Sequence, residues 1–139
     1  MKEIKALNQR FAAAVKAKDI NTIMSVYAPD EGLLVFDVIP PRQYVGAKAY
    51  RKNWEDALAF FSGPVEYEMS DLHIETDGDL GFSHRIDHGV LTDEAGEKLS
   101  LTLRITNVYR KIDGKWLIVH EHASVPVDLA TGKADFSSK

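Results

Sequence analysis

The chain changes its periodicity once, at Gly63-Pro64. Before that point apolar residues recur at three- and four-residue steps, which builds one stripe on a helix. After it apolar and polar residues alternate, which builds the two faces of a strand. Ile4, Leu7, Phe11, Ala14 and Val15 mark the first helix. Asp19 is placed to cap a short second one carrying Ile20, Ile23, Met24 and Tyr27, which Pro29 ends. GLLVFDVIPP reads as a short buried strand stopped by Pro40 and Pro41. A third helix runs from Ala47 to Phe61, with Tyr50, Trp54, Leu58 and Phe61 on its apolar side. Four strands follow near residues 65–76, 79–91, 98–111 and 115–124, separated by the turn sequences TDGD, DEAG and IDG. Helices first and an antiparallel meander afterwards predict an α+β fold with the helices on one face of the sheet.

The composition narrows the chemistry. At 139 residues and 45% hydrophobic, the chain has the size and material for one core-bearing domain over 1–139, with a polar, frayed tail after residue 126. A net charge of −4 gives no pull toward phosphate backbones, so no nucleic-acid partner is expected. The absence of cysteine excludes disulfides, thiol nucleophiles and thiolate metal sites. No apolar stretch approaches the ~20 residues of a membrane span, and MKEIKALNQRF lacks a signal-peptide core. A soluble cytoplasmic protein without membrane contacts is expected. Dinucleotide, P-loop and nucleophile-elbow motifs are absent.

The last hairpin decides which residues are neighbours. A two-residue Asp113-Gly114 turn pairs Ile112 with Lys115 and sets His122 beside Ile105. A three-residue loop pairs Lys111 with Lys115 and sets His122 beside Arg104 and His120 beside Thr106. The difference is one residue, and it reverses every face. Apolar alternation favours the first.

Three stretches carry a family likeness. ALNQRFAAAVKAKDINTIMSVYAPDEGLLVFDVIPP resembles the opening of ketosteroid isomerases and SnoaL-like polyketide cyclases. PPRQYVGAKAYRKNW and VYRKIDGKWLIVHEHASVPVDLATGKA resemble SnoaL-like, ketosteroid-isomerase-related proteins of the nuclear-transport-factor-2-like superfamily. The likeness implies a cone: a curved antiparallel sheet wrapped around the N-terminal helices, with an apolar pocket at the open end. It also implies a homodimer through the outer sheet face, and it favours the three-residue loop. Trp116, Ile118, His120, His122 and Ser124 would then share the concave face with Arg104, Thr106 and Val108. Leu101, Leu103, Ile105, Tyr109, Leu117 and Val119 would form the convex one.

The same likeness puts Asp37 where ketosteroid isomerases hold their general base. A carboxylate among Val35, Phe36, Val38 and Ile39 is partly desolvated, which raises its pKa toward a useful range. The isomerase's oxyanion donors are missing: Phe11 stands at the tyrosine's place, and LSLTLRIT offers no carboxylate. Steroid isomerisation by that mechanism is therefore not expected. Arg104 and His122 are the candidates to stabilise charge on a carbonyl oxygen. His120 and His122 read as pocket groups, as a metal pair, or as core histidines bonded to backbone. The metal reading needs His84 or His88, whose strand lies two strands away, so no metal site is predicted. Phe11, Tyr27, Trp54, His84, Trp116 and His120 are the expected ligand walls. The leading expectation is binding of a small, largely apolar molecule and its conversion by acid–base chemistry without a cofactor. A non-catalytic binding module and a homodimeric association module are the alternatives.

Overall fold

A left-handed residue closes the first helix, and an aspartate opens the second. In the computed structural model, which describes residues 1–138, α1 covers Lys2–Ala17 and α2 covers Ile20–Met24. Lys18 adopts φ 57°, and its N–H reaches back to Ala14 and Val15 carbonyls. Asp19 then accepts from Thr22 N–H at 3.2 Å, as its position predicts. The stripe Ile4, Leu7, Phe11, Ala14 and Val15 is buried. The Lys18 ammonium ties this corner to the end of the third helix through the Phe61 and Gly63 carbonyls, at 2.8 and 3.2 Å.

The strands are β1 Leu34–Phe36, β2 Tyr44–Val45, β3 Val65–Asp77, β4 Leu80–Thr92, β5 Lys98–Ile112 and β6 Lys115–Ser124, with α3 Ala47–Phe60 between β2 and β3. They form one sheet in the order β2-β1-β6-β5-β4-β3. Every neighbour pair is antiparallel except β1 and β6. Gly46 opens α3 at φ 90°, where a Cβ would press against the Glu31 carboxylate at 2.8 Å. The helices cover one face of the sheet, and the core lies between: Ile4, Leu7, Phe11, Ile23, Val35, Tyr50, Tyr109 and Ile118 are all buried. The tail is more ordered than expected. β7 Val127–Asp128 pairs with β8 Lys133–Ala134, and Thr102 N–H donates to the Phe136 carbonyl at 2.8 Å. No helix among the described residues is long and apolar enough to cross a membrane.

The last hairpin begins with the two-residue turn that apolar alternation favours, and a bulge then carries its register away from both expected ones. The turn is the two-residue one: Asp113 and Gly114 have φ 50° and 81°, and Ile112 pairs with Lys115. Tyr109 pairs with Ile118, but Val108 pairs with His120, so Val119 is an extra residue. The bulge sits where β6 changes its second partner. Ile118 bonds to the Val26–Ala28 segment, whereas His120, Glu121 and His122 pair with β1. Past the bulge His122 lies opposite Thr106, and Glu121 and Ala123 point inward. The assignment of His120, His122 and Ser124 to the concave face, together with Arg104, Thr106 and Val108, is therefore reversed. Ile105 and Tyr109, expected on the convex face, are buried beneath the helices.

Candidate functional site

The inner face of β4 reads Gly81, Ser83, Arg85, Asp87 and Gly89, polar where the core should be apolar. The alternating Phe82, His84, Ile86, His88 and Val90 look outward. Arg85 and Asp87, two apart on one strand, are neighbours on one face. Arg85 Nε and Nη2 donate to Asp87 Oδ1 and Oδ2 at 2.7 and 3.0 Å, a forked pair. From β6, Glu121 enters the same space. It accepts from the Tyr27 hydroxyl at 3.0 and 3.1 Å and from the Tyr50 hydroxyl at 2.9 Å. Asn107, with its amide turned to suit its neighbours, donates to Glu121 Oε1 at 3.0 Å and accepts from Arg85 Nη1 at 2.7 Å. Asn8 from α1 accepts from the same Arg85 nitrogen at 2.9 Å and donates to the Tyr109 hydroxyl at 2.9 Å. The Arg85 guanidinium also sits 5.5 Å above the Phe11 ring.

One guanidinium thus faces two carboxyl groups, and Arg85, Asp87 and Glu121 are only 4%, 1% and 4% exposed. Burial opposes the second negative charge. It pushes Asp87 up to about 8, with the Glu121 charge adding to the shift. Glu121 is raised too, by burial, against the Arg85 charge and the tyrosine hydrogen bonds that lower it. Tyr27 and Tyr50 are driven well above the ordinary phenol range, by burial first and by the Glu121 charge second.

Asp37 lies just past β1 on the α3 side. Its Oδ1 accepts from Val38 N–H at 2.7 Å, and its Oδ2 accepts from the Asn53 amide at 3.1 Å. The Tyr44 hydroxyl donates to Asn53 Oδ1 at 3.0 Å, which orients that amide toward the carboxylate. Burial raises the Asp37 pKa, opposed by the Val38 and Asn53 hydrogen bonds. Tyr50, Asn53 and Trp54 occupy positions i, i+3 and i+4 of α3, one helical face. Tyr50 serves Glu121 and Asn53 serves Asp37. Trp54 packs edge-on against Phe11 and Tyr50, with centroids 5.9 and 6.2 Å apart. Among the described residues its Nε1 is the one buried side-chain polar atom without a hydrogen-bond partner.

The structure brings together only part of the predicted set. Phe11, Tyr27 and Trp54 line the interior with Asp37 on its β1 edge. Trp116 packs on the core from below and lines a crevice of about 380 Å³ with Glu3, Leu7 and Arg10, remote from Asp37. Arg104, His84, His120 and His122 are on the opposite face of the sheet. There Arg104 Nε donates to Ser124 Oγ at 3.0 Å, and His120 Nδ1 lies 2.8 Å from the Leu34 carbonyl. His73, His84, Thr106, His122 and Phe36 form one row across five strands. His88 bonds Thr102 on the same face, so all five histidines of the chain are outside the cone. No group of three or more His, Asp or Glu able to hold a metal occurs among the described residues. Sequence reasoning missed Arg85, Asp87, Asn107 and Glu121. The alternation of β4 gave no sign of them, because Arg85 and Asp87 occupy its regular polar positions.

N-terminal helices packed on a large, mainly antiparallel sheet are an architecture shared with nuclear transport factor 2 (NTF2)-like proteins. An NTF2-like protein of unknown function from Pseudomonas putida KT2440 is 34% identical, over 99% of this chain and 94% of its own, with a TM-score of 0.89. Residues 4–128 match the SnoaL-like domain family, and the chain belongs to that family. A candidate calcium/calmodulin dependent protein kinase II association domain from Xanthomonas campestris is 25% identical, over 88% of this chain and 84% of its own, with a TM-score of 0.74. A candidate scytalone dehydratase from Novosphingobium aromaticivorans DSM 12444 shares the fold at 15% identity, over 88% and 81% of the two chains, with a TM-score of 0.78. No curated protein sequence matches the chain.

Proposed function

We propose that the chain binds a small, largely apolar organic molecule against the inner wall of the cone and transforms it by proton transfer at Asp37. The observation that carries this reading is the Asp37 carboxyl: aimed by Asn53 and Val38 N–H, with its pKa raised by burial. A base of raised pKa takes a proton more readily than an exposed aspartate, while the fixed carboxylate needs no reorganisation. The step is removal of a C–H proton adjacent to a carbonyl: Asp37 gains the proton, and the electron pair moves to the carbonyl oxygen. Isomerisation, cyclisation and dehydration all begin in that way. Arg104 and His122 keep no part in it, because both lie on the other side of the sheet. In D2O, the protein should exchange the α-protons of ring ketones (1-tetralone, 2-tetralone and 1-indanone) faster than buffer, and Asp37→Asn should abolish the excess. Exchange no faster than buffer for every ketone would overturn the reading.

A second reading is favoured by the outer sheet face, which no helix among the described residues covers. Phe82 there is 39% exposed, and Phe36 stacks edge-on with His120 and His122. A homodimer through this face would bury the aromatic and histidine rows. The likeness to a candidate association domain supports this reading. Sedimentation velocity tests it, since a monomer at every concentration would exclude the interface.

A further inference from the structure

Three donors lie on one face of α3, and two of them are engaged. The Tyr50 hydroxyl serves Glu121 at 2.9 Å, and the Asn53 amide serves Asp37 at 3.1 Å. The third, Trp54 Nε1–H, is buried without an acceptor. An indole nitrogen can only donate. A buried donor left unmade is costly, and native structures rarely leave one without a protein, water or ligand partner. We infer that Trp54 is a ligand-binding residue, its indole N–H donating to an oxygen of the molecule that enters the cone.

The surroundings restrict the ligand's chemistry. Phe11 and Tyr50 flank the Trp54 ring edge-on, and Tyr67 flanks Phe11 at 6.0 Å, so the wall is aromatic and suits a flat ring. The acidic groups nearby already outnumber the cation: the Asp37 charge adds to the upward shift of Glu121, and Arg85, the cation that opposes that shift, is forked to Asp87. An anionic ligand would add to that imbalance in a desolvated space. The ligand is therefore a neutral ring compound carrying a carbonyl or hydroxyl oxygen. This inference rests on the acid–base reading of Asp37 and deepens it: one α3 residue aims the base and the next holds the substrate's oxygen.

The test uses 1-tetralone, its oxygen-free counterpart tetralin, and the anion 1-naphthoate, with the whole chain. The chain has two tryptophans, so two indole N–H resonances appear in a nitrogen–proton correlation spectrum, and Trp116→Phe assigns them. The Trp54 resonance should move downfield with 1-tetralone and not with tetralin. By calorimetry 1-tetralone should bind about tenfold more tightly than either other probe, and Trp54→Phe should erase the preference over tetralin. If 1-tetralone binds and exchanges its α-protons while the Trp54 resonance stays put, this inference fails and the Asp37 reading stands. Equal binding of 1-naphthoate would overturn the neutral-ligand assignment. If no probe binds and no ketone exchanges, both readings fall.

Discussion

The Tyr50 hydroxyl lies 2.9 Å from Glu121 Oε2 and joins the middle of α3 to the inner face of β6. Tyr27 reaches both oxygens of the same carboxyl from the end of the α2 segment. Glu121 is therefore the acceptor on which two tyrosines converge, in a place where water cannot replace a lost partner. Tyr50→Phe should cost about 1–3 kcal/mol by removing a hydrogen bond to a charged group. Glu121→Leu should cost more, about 3–5 kcal/mol, because it strands the Tyr27 and Tyr50 hydroxyls and the Asn107 amide and leaves Asp87 as the one carboxyl group facing Arg85. Urea denaturation of both variants measures the order, and equal costs would contradict it.

The pH dependence of stability follows from the same cluster. Asp87 is raised from 3.8 to about 8. A group raised in the folded state binds its proton more tightly there than in the unfolded chain. Its stabilisation is complete below the unfolded pKa and is lost as pH climbs from about 4 through about 8. Between those values the folded state holds at most one proton more than the unfolded chain at this site, which sets a limiting slope of about 1.4 kcal/mol per pH unit. Asp87→Asn should flatten the decline measured by thermal melts between those pH values.

Asp37→Asn should separate stability from function. Asp37 carries the same sign of shift as Asp87, so its ionised form at neutral pH lowers stability instead of adding to it. An amide keeps its oxygen for Val38 N–H, and Asn53 can turn its own amide to accept from the new NH2, since the Tyr44 hydroxyl can accept as well as donate. The variant should melt within about 1 kcal/mol of the parent or above it at pH 7, while ketone exchange disappears. A large loss of stability would make Asp37 a structural residue.

On the outer face, Phe82→Asp places a charge in the row of Glu75, Val108 and His120. If this face joins two copies, the substitution should raise the dissociation constant at least tenfold and leave the fold intact, because Phe82 is not a core residue. Sedimentation velocity of the two proteins gives the comparison.

Much of the fold was legible because most elements obey their periods. The stripe of α1, the Asp19 cap and the four long strands lie where periodicity and turn chemistry put them. The site was not legible, for two physical reasons. Along β4 the apolar positions face solvent, and Ser83, Arg85 and Asp87 face the core, so the rule that apolar means inward gives the wrong face. In β6 the extra Val119 shifts the strand by one residue, and the change of partner that produces it is a tertiary event. Together they moved His120 and His122 outside and brought Glu121 inside. Local rules fail here at the place where the interior is polar.

The most direct test of the account is a carbon-13 titration of the Asp37 carboxyl, with Asp37→Asn to assign the resonance. The raised pKa predicts a midpoint above the ordinary 3.8, with the carboxyl still partly protonated where exposed aspartates are fully ionised. A midpoint at or below 3.8 would mean that the Val38 and Asn53 hydrogen bonds outweigh burial, and Asp37 would then be a structural anchor and not a base.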